Sequence, residues 1–303
     1  MRVNKDSFQP INGIILLDKE DGLSSNRALQ DVKKLIGAKK GGHGGSLDPA
    51  ATGMLILCFG EATKICPYLL NNNKTYQVTA ELGKSTSTGD KEGSVVETSE
   101  IYDYDHDHWI GILDKFLGNS MQIPPMYSAL KKDGKRLYKL ARKGEIVERD
   151  ARNINISSIK LEGVHEKTIE FTVTVSKGTY IRVLVEDIAK EAGMVGYTTR
   201  LHRVAVGNFK ESQMVSYKSL EDLKSNKDLP DKKYLLPVDS ALLDWSSVCL
   251  DQTQLEMFGN GRSVEIIGPD KGLIRVYDAD KKFVGIGENK EGNFLIPRRI
   301  FHL

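Results

Sequence analysis

Gly41–Gly53 reads GGHGGSLDPAATG, with five glycines around His43, Ser46 and Asp48. Glycine lets backbone turn through positive φ and come close to a ligand. Pro49 restricts Asp48 to extended backbone, which holds its carboxylate in one direction. A tight surface turn with a solvated aspartate would use the same residue types. The segment reads as a glycine-rich loop. Apolar runs lie on both sides of it, Ile14–Leu17 before and Met54–Phe59 after, and both read as buried strands.

Phosphate-loop and hydrolase readings fail on spacing. Gly83-Lys84-Ser85 could close a P-loop, but the glycine five positions earlier would fall on Val78. His43-Gly44-Gly45 faintly resembles an esterase oxyanion loop, yet the chain has no G-x-S-x-G elbow. DYDHDHW at 103–109 invites a metal. An EF-hand register from Asp103 would need glycine at His108 and glutamate at Asp114. The simpler account is acidic capping of a helix over 109–117.

Working outward, Ser24 or Ser25 offers an N-cap to a helix carrying Ala28, Val32, Leu35 and Ile36, with Gly37 as its stop. Residues 62–70 read as helical, provided Pro67 lies near the start. Tyr76, Val78, Ala80 and Leu82 alternate with polar residues, as do Phe171, Val173 and Val175, so both segments predict half-buried strands. Ile181, Leu184, Val185, Ile188, Ala189 and Ala192 form a helical stripe that ends at Gly193. Strands and helices without regular βαβ alternation predict an α+β fold built on a mixed sheet. The polar, lysine-rich run at 222–234 suggests a boundary near 230, with a small β-barrel following from short strands at 273–278, 283–287 and 294–300.

The chain has 303 residues and a formal net charge of +2, so its total charge does not mark a nucleic-acid binder. The distribution is more informative. Lys131, Lys132, Lys135, Arg136, Lys139, Arg142 and Lys143 crowd together with only Asp133 opposing them, and Tyr127 and Tyr138 interleave. Lys33, Lys34, Lys39 and Lys40 precede the glycine loop. Either run alone reads as a solvated face. Two basic groups beside one loop-borne carboxylate point to a polyanionic substrate. Cys58, Cys66 and Cys249 form no C-x-x-C pair, which fits reduced thiols in a cytoplasmic protein. MRVNKDSFQP has no apolar core, so neither a signal peptide nor a membrane span is expected.

Gly42–Gly53 resembles the G-H-x-G-x-L-D-P-x-A-T-G signature of the bacterial tRNA pseudouridine synthase B family. Further matches follow in the family's order over about 11–210. They are Asn12-Gly13 to Asp18-Lys19, Lys74-Thr75-Tyr76, Pro125–Ala129, Ser176–Arg182 and Arg200-Leu201. The resemblance implies a pseudouridine synthase domain over 1–230 with an RNA-binding thumb at about 124–152. It implies a PUA-like, RNA-binding barrel over 231–303. It also implies an enzyme that isomerises the T-loop uridine at position 55 of tRNA, acting on a flipped-out base.

By the same resemblance Asp48, Tyr180 and Arg182 are catalytic. Asp48 is the carboxylate, acting as nucleophile or as base. Arg182 pairs with it, and Tyr180 contacts the uracil near C5 and helps move the C5 proton. Tyr76 stacks on the uracil, Leu201 lines its pocket, His43 packs into the flipped nucleotides, and Lys19 supports the site. Lys132, Lys135, Arg136, Lys139 and Arg142 are expected on phosphates of the T stem-loop. The isomerisation changes no oxidation state, so neither cofactor nor metal is expected. A monomer without an obligatory protein or guide-RNA partner is expected, because guide-dependent relatives carry a longer basic tail. A non-catalytic RNA binder is disfavoured because binding alone needs no carboxylate facing RNA. A metal-dependent hydrolase finds no supporting ligand cluster.

Overall fold

The computed structural model describes residues 11–225, 234–267, 271–290 and 293–303. Its main body is a ten-stranded mixed sheet. The strands run, edge to edge, Val215–Ser216, Gly13–Lys19, Thr52–Phe59, Gly196–Val206, Lys74–Leu82, Thr168–Val175, Arg152–Val164 and Gly118–Gln122. Gly41–His43 and Phe209–Lys210 pair at its margins. Most neighbours are antiparallel, but Gly196–Val206 joins Thr52–Phe59 in parallel at Thr52 and Gly53.

The first three residues of the glycine-rich segment are therefore not loop. They form a strand in which Gly41, Gly42 and His43 face Phe59, Cys58 and Leu57. The loop proper is shorter, about 44–51. A run of glycines predicts freedom, and backbone pairing with the neighbouring apolar strand overrides that local preference.

The helix Ser25–Ile36 begins at Ser24, whose hydroxyl accepts from the Arg27 N–H at 3.2 Å, and stops at left-handed Gly37. Gly60–Ile65 is a 3₁₀ turn leading into the short helix Cys66–Leu69, with Pro67 in its first turn. The helix expected over 109–117 runs His106–Asp114. Asp105 caps it by accepting from the His108 N–H at 2.8 Å, so the acidic tract does serve as a cap. In Lys74–Leu82 every second residue is buried, Tyr76 among them. Three long segments went unpredicted as strands: Gly118–Gln122, Arg152–Val164 and Gly196–Val206. Their burial does not alternate cleanly, and bulges interrupt the last two.

The tail forms a second, five-stranded sheet in the order Ser247–Cys249, Gly272–Tyr277, Phe283–Lys290, Phe294–Ile300 and Val264–Glu265. It curls as a half-barrel rather than closing. It docks firmly on the main body. Ile14, Met54, Ile56 and Val206 share one buried cluster with Val238, Phe283, Ile286 and Phe301. Ile14 and Leu236 exchange backbone hydrogen bonds of 2.8 and 2.9 Å, and Lys64 Nζ donates to the Ile300 carbonyl at 2.7 Å. The boundary expected at 230 lies outside the described residues.

Candidate functional site

The loop carrying Asp48 emerges between Gly41–His43 and Thr52–Phe59 and crosses above the sheet. Leu47 and Ala51, on either side of Asp48, are buried in the core cluster that contains Tyr76, Phe171 and Ile181. The loop therefore has an apolar underside, and Asp48 stands above it with its side chain 44% exposed. The Asp48 carbonyl accepts from the Ala51 N–H at 3.1 Å, closing a tight turn around Pro49.

Arg182 enters from the first turn of the helix Ile181–Glu191. It stands off the helix's apolar stripe of Ile181, Leu184, Val185 and Ile188 and turns toward Asp48. In the structure it is buried, 5% exposed, and both terminal nitrogens of its guanidinium are engaged. Nη2 lies 2.9 Å from Asp48 Oδ2 and donates to the Tyr127 carbonyl at 2.8 Å. Nη1 donates to the Thr88 carbonyl at 2.6 Å and lies 3.5 Å from Asp90 Oδ2. A planar fork can serve four acceptors at fixed angles, which an ammonium cannot. Asp90 is held in turn, its Oδ1 accepting from the Thr88 hydroxyl at 2.5 Å and the Glu92 N–H at 3.1 Å.

Asp48 and Arg182 share a cavity of about 130 Å³ with Tyr76, Tyr180, Leu201 and Ser128. At several times the ~30 Å³ of one water, this is room for a single flat ring. Tyr180 is the N-cap of the Ile181–Glu191 helix. Its backbone is gripped at both ends by buried Gln122, which accepts from the Tyr180 N–H at 2.8 Å and donates to its carbonyl at 3.1 Å. Burial raises the Tyr180 phenol above its ordinary value, and the Asp48 charge adds to this. Leu201 lies on Gly196–Val206 between two register shifts that re-aim this stretch of the strand.

Two further expected site residues, Lys19 and His43, lie beside the cavity and do not line it. Lys19 is 1% exposed, and its ammonium is spent on the carbonyls of Glu20, Leu23 and Pro49 at 2.8, 2.7 and 3.0 Å. It therefore reaches the backbone beside Asp48 rather than the cavity. Burial lowers its pKa to about 8. His43 lies on the strand leading into the loop, outside the Asp48 cavity. Burial, then the neighbouring Arg203 charge, lowers its pKa below the usual imidazole range.

The basic segment is a two-stranded hairpin, Lys131–Lys132 with Lys135–Arg136, followed by the short helix Leu137–Ala141. Leu137 and Leu140 anchor it, while Lys132, Lys135, Arg136, Lys139 and Arg142 are exposed. Lys132 Nζ donates to the Glu148 carbonyl at 2.5 Å. Among the described residues no group of three or more acidic, histidine or cysteine side chains could hold a metal, and no helix is long and apolar enough to cross a membrane. A larger cleft of about 420 Å³ beside the Ser25–Ile36 helix is lined by Arg27, Asp31, Lys34 and Glu221; its Arg27–Asp31 pair, 2.7 Å, lies within one helix with the Arg27 side chain 70% exposed, unlike the buried Arg182.

Asp90, Gln122 and Arg203 are the parts that sequence reasoning missed. Asp90 had a faint signal, since it too is a glycine-bracketed aspartate, in TGDKEG. Gln122 and Arg203 had none.

Residues 33–181 match the TruB family pseudouridylate synthase N-terminal domain. Residues 182–243 match the tRNA pseudouridylate synthase B C-terminal domain, and residues 246–301 the pseudouridine synthase II TruB C-terminal domain. The chain is 45% identical over 293 residues to a protein named tRNA pseudouridine synthase B from Pseudomonas fluorescens, covering 96% of this chain and 95% of that one. It is 43% identical to its namesake from Stutzerimonas stutzeri, covering 99% and 97%. Among solved structures, a Cbf5–Nop10–Gar1 complex aligns with TM-score 0.76 at 23% identity, covering 96% of this chain and 85% of that one. An H/ACA RNP bound to a substrate RNA containing 2′-deoxyuridine aligns with TM-score 0.74 at 20% identity, with the same coverage. At that identity they speak to fold. The mixed-sheet domain is of the pseudouridine synthase type, and the curled C-terminal sheet is consistent with a PUA-like domain.

Proposed function

The chain belongs to the TruB family of pseudouridylate synthases, and from that premise we propose that it converts the T-loop uridine at position 55 of tRNA to pseudouridine, acting alone and without a cofactor. The observation that carries this reading is the Asp48–Arg182 ion pair, 2.9 Å, opening onto a ring-sized cavity walled by Tyr76, Tyr180 and Leu201.

The reaction breaks the N1–C1′ bond of uridine, turns the uracil, and joins C5 to C1′. C5 loses a proton and N1 gains one, so the atoms balance with no redox step. To enter the cavity the uridine must leave its stack, at a cost of a few kcal/mol. Stacking on Tyr76 offsets roughly 1–3 kcal/mol of that, while Leu201 closes the other wall. Asp48, held on its turn by Pro49 and Ala51, presents a carboxylate to the ribose as nucleophile or base. Arg182 fixes the direction of that carboxylate and supplies its counter-charge. Tyr180, its backbone locked by Gln122, stands by C5. Burial keeps its phenol protonated in the neutral range, so it steadies the ring, or relays the C5 proton by giving up its own hydroxyl proton as it takes that one.

Around this chemistry we assign residues 1–230 to the catalytic domain, with its thumb at about 124–152, and 231–303 to a PUA-like RNA-binding domain. His43 packs against the displaced T-loop nucleotides. Lys132, Lys135, Arg136, Lys139 and Arg142 contact phosphates, and Lys19 supports the Asp48 loop. The enzyme works as a cytoplasmic monomer without a guide RNA. The deciding experiment incubates purified protein with an unmodified tRNA transcript, with and without chelator, and maps pseudouridine. Product at the single T-loop site in both arms is expected. Product only after a guide RNA or a divalent ion is added, with identically folded tRNA, would overturn the stand-alone or the cofactor-free part.

A further inference from the structure

Arg203 is 2% exposed, the deepest arginine among the described residues, and no carboxylate pairs with it in the described part of the structure. A buried cation without an acidic partner must find compensation in well-placed dipoles. Here the compensation comes from the catalytic loop itself. Nε donates to the Met54 carbonyl at 2.7 Å, Nη2 to Gly45 at 3.2 Å and Nη1 to Ser46 at 3.4 Å. Met54 is on the outgoing leg of the loop, and Gly45 and Ser46 are on the incoming leg. One guanidinium therefore straddles the segment whose apex is Asp48.

The backbone of Arg203 is pinned as tightly as its side chain. Gly53 sits at φ +92°, and a Cβ there would meet the Arg203 carbonyl oxygen at 2.4 Å and its nitrogen at 2.8 Å. Only glycine allows that approach. The parallel pairing of Arg203 with Gly53 and a register shift just beyond it fix where the side chain starts. Two other side chains complete the grip. The Ser25 hydroxyl accepts from the Leu47 N–H at 2.7 Å and donates to its carbonyl at 2.9 Å. Lys19 holds the Pro49 carbonyl. Gly45, Ser46, Leu47 and Pro49 thus have their carbonyls held by residues from three separate elements, while the Asp48 carboxylate stays free for Arg182.

We infer that Arg203 is a positioning residue for the isomerisation, clamping both legs of the catalytic loop so that the Asp48 carboxylate is aimed at the bound ribose. This rests on Asp48 being the reacting carboxylate. It predicts that the damage from losing Arg203 falls on the chemical step and not on RNA affinity. Displacing a reacting group by about 1 Å can cost roughly a hundredfold in rate.

The test uses the full chain as Arg203→Met, which keeps length without donors, and Arg203→Lys, which keeps charge but not the fork. Four quantities are measured beside wild type: tRNA affinity, single-turnover rate at saturating tRNA, amide exchange and thermal unfolding. The expected result is wild-type affinity, a rate lowered roughly a hundredfold in Arg203→Met and less in Arg203→Lys, and faster exchange at Gly44 and Ala51 with the Lys74–Leu82 strand unchanged. An unchanged saturated rate in a folded variant overturns the inference. So does lost affinity with the rate intact, or loss of cooperative unfolding in both variants. If wild type itself forms no pseudouridine, the functional reading fails, and exchange at Gly44 and Ala51 alone decides whether Arg203 clamps the loop.

Discussion

Replacing Arg182 with lysine separates charge from geometry at the site. The guanidinium spans Asp48 on one side and Asp90 on the other while holding the Thr88 and Tyr127 carbonyls. A lysine ammonium is a single point and cannot reach both aspartates. Asp90, whose side chain is 10% exposed, would keep its Thr88 and Glu92 donors but lose its counter-ion. Hydrogen bonds to charged groups contribute about 1.5–3 kcal/mol each, and breaking a buried pair outright costs about 3–5 kcal/mol. Because lysine retains the charge and one or two of the four contacts, the expected loss of stability is about 2–3 kcal/mol. For a chain of this size each ~1 kcal/mol moves Tm by roughly 2–4 °C or less, so the variant should melt several degrees lower and still be folded at 25 °C. The larger effect belongs to the chemistry. A carboxylate free to rotate loses its near-attack position, so the single-turnover rate at saturating tRNA should fall at least ~10²-fold. Affinity should change little, since the expected phosphate-contacting cations lie at 132–142 and Arg182 touches that segment only at its root, through the Tyr127 carbonyl. The assay is thermal unfolding, tRNA binding and single-turnover pseudouridine formation on one preparation. A folded Arg182→Lys enzyme with a near-wild-type rate would show that charge alone suffices and would refute the role given to the fork.

Asp48→Asn should bind tRNA normally and form no pseudouridine; a rate above about one-hundredth of wild type would remove the carboxylate from catalysis, since acid–base chemistry alone contributes roughly 10²-fold or more. Neutralising Lys135, Arg136 and Lys139 together should weaken tRNA binding and flatten its salt dependence by about 0.7–0.9 per lost phosphate contact, leaving the saturated rate and the modified uridine unchanged; an unaltered slope would make the hairpin an ordinary solvated surface. Lys74 donates to the Leu70 and Asn72 carbonyls, and burial lowers its pKa from 10.5 to about 8. Between those values the unfolded chain binds more protons at this lysine than the folded one, so its contribution to stability rises with pH through that window. The urea midpoint of Lys74→Met should therefore gain less than wild type between pH 8 and 10, and parallel gains would count against the shift.

Local signals carried the elements nearest the chemistry. The Ser24 cap and the Gly37 stop delimited the Ser25–Ile36 helix to within a residue, because both act through backbone groups of their own turn. Tyr76 was legible because a strand buried on one face alternates strictly, and Lys74–Leu82 does. Arg152–Val164 and Gly196–Val206 were not, because bulges break their alternation and their partners are distant in sequence. The second strand is fixed by antiparallel pairing to Lys74–Leu82, more than a hundred residues earlier, and no local pattern encodes that. The tail shows the same divide. Its three hairpin-linked strands read correctly, whereas the short Ser247–Cys249 and Val264–Glu265 strands, two or three residues long, exist only through their pairing partners.

The site divides along the same line. Asp48 could be singled out because Pro49 and the surrounding glycines constrain it through its own backbone. The residues that make it usable are scattered: Arg182 on a helix, Asp90 on a turn, Gln122 on an edge strand, Arg203 on a central one. None belongs to a local pattern that marks it, and each acquires meaning from what it touches across the fold. Arg182 was reached through resemblance to a family; the periodicity of its helix left it off the apolar stripe and free to turn toward the site, but carried no sign of its burial. Burial of an arginine is tolerable here because four acceptors from three segments wait for it, a condition set entirely by tertiary structure. The same holds for Arg203 and its three loop carbonyls. A loop carboxylate is visible because chain chemistry restrains it, while the buried cations that aim it are defined by long-range geometry. Mutating those cations is therefore the sharper test of whether the loop is built for catalysis or merely exposed.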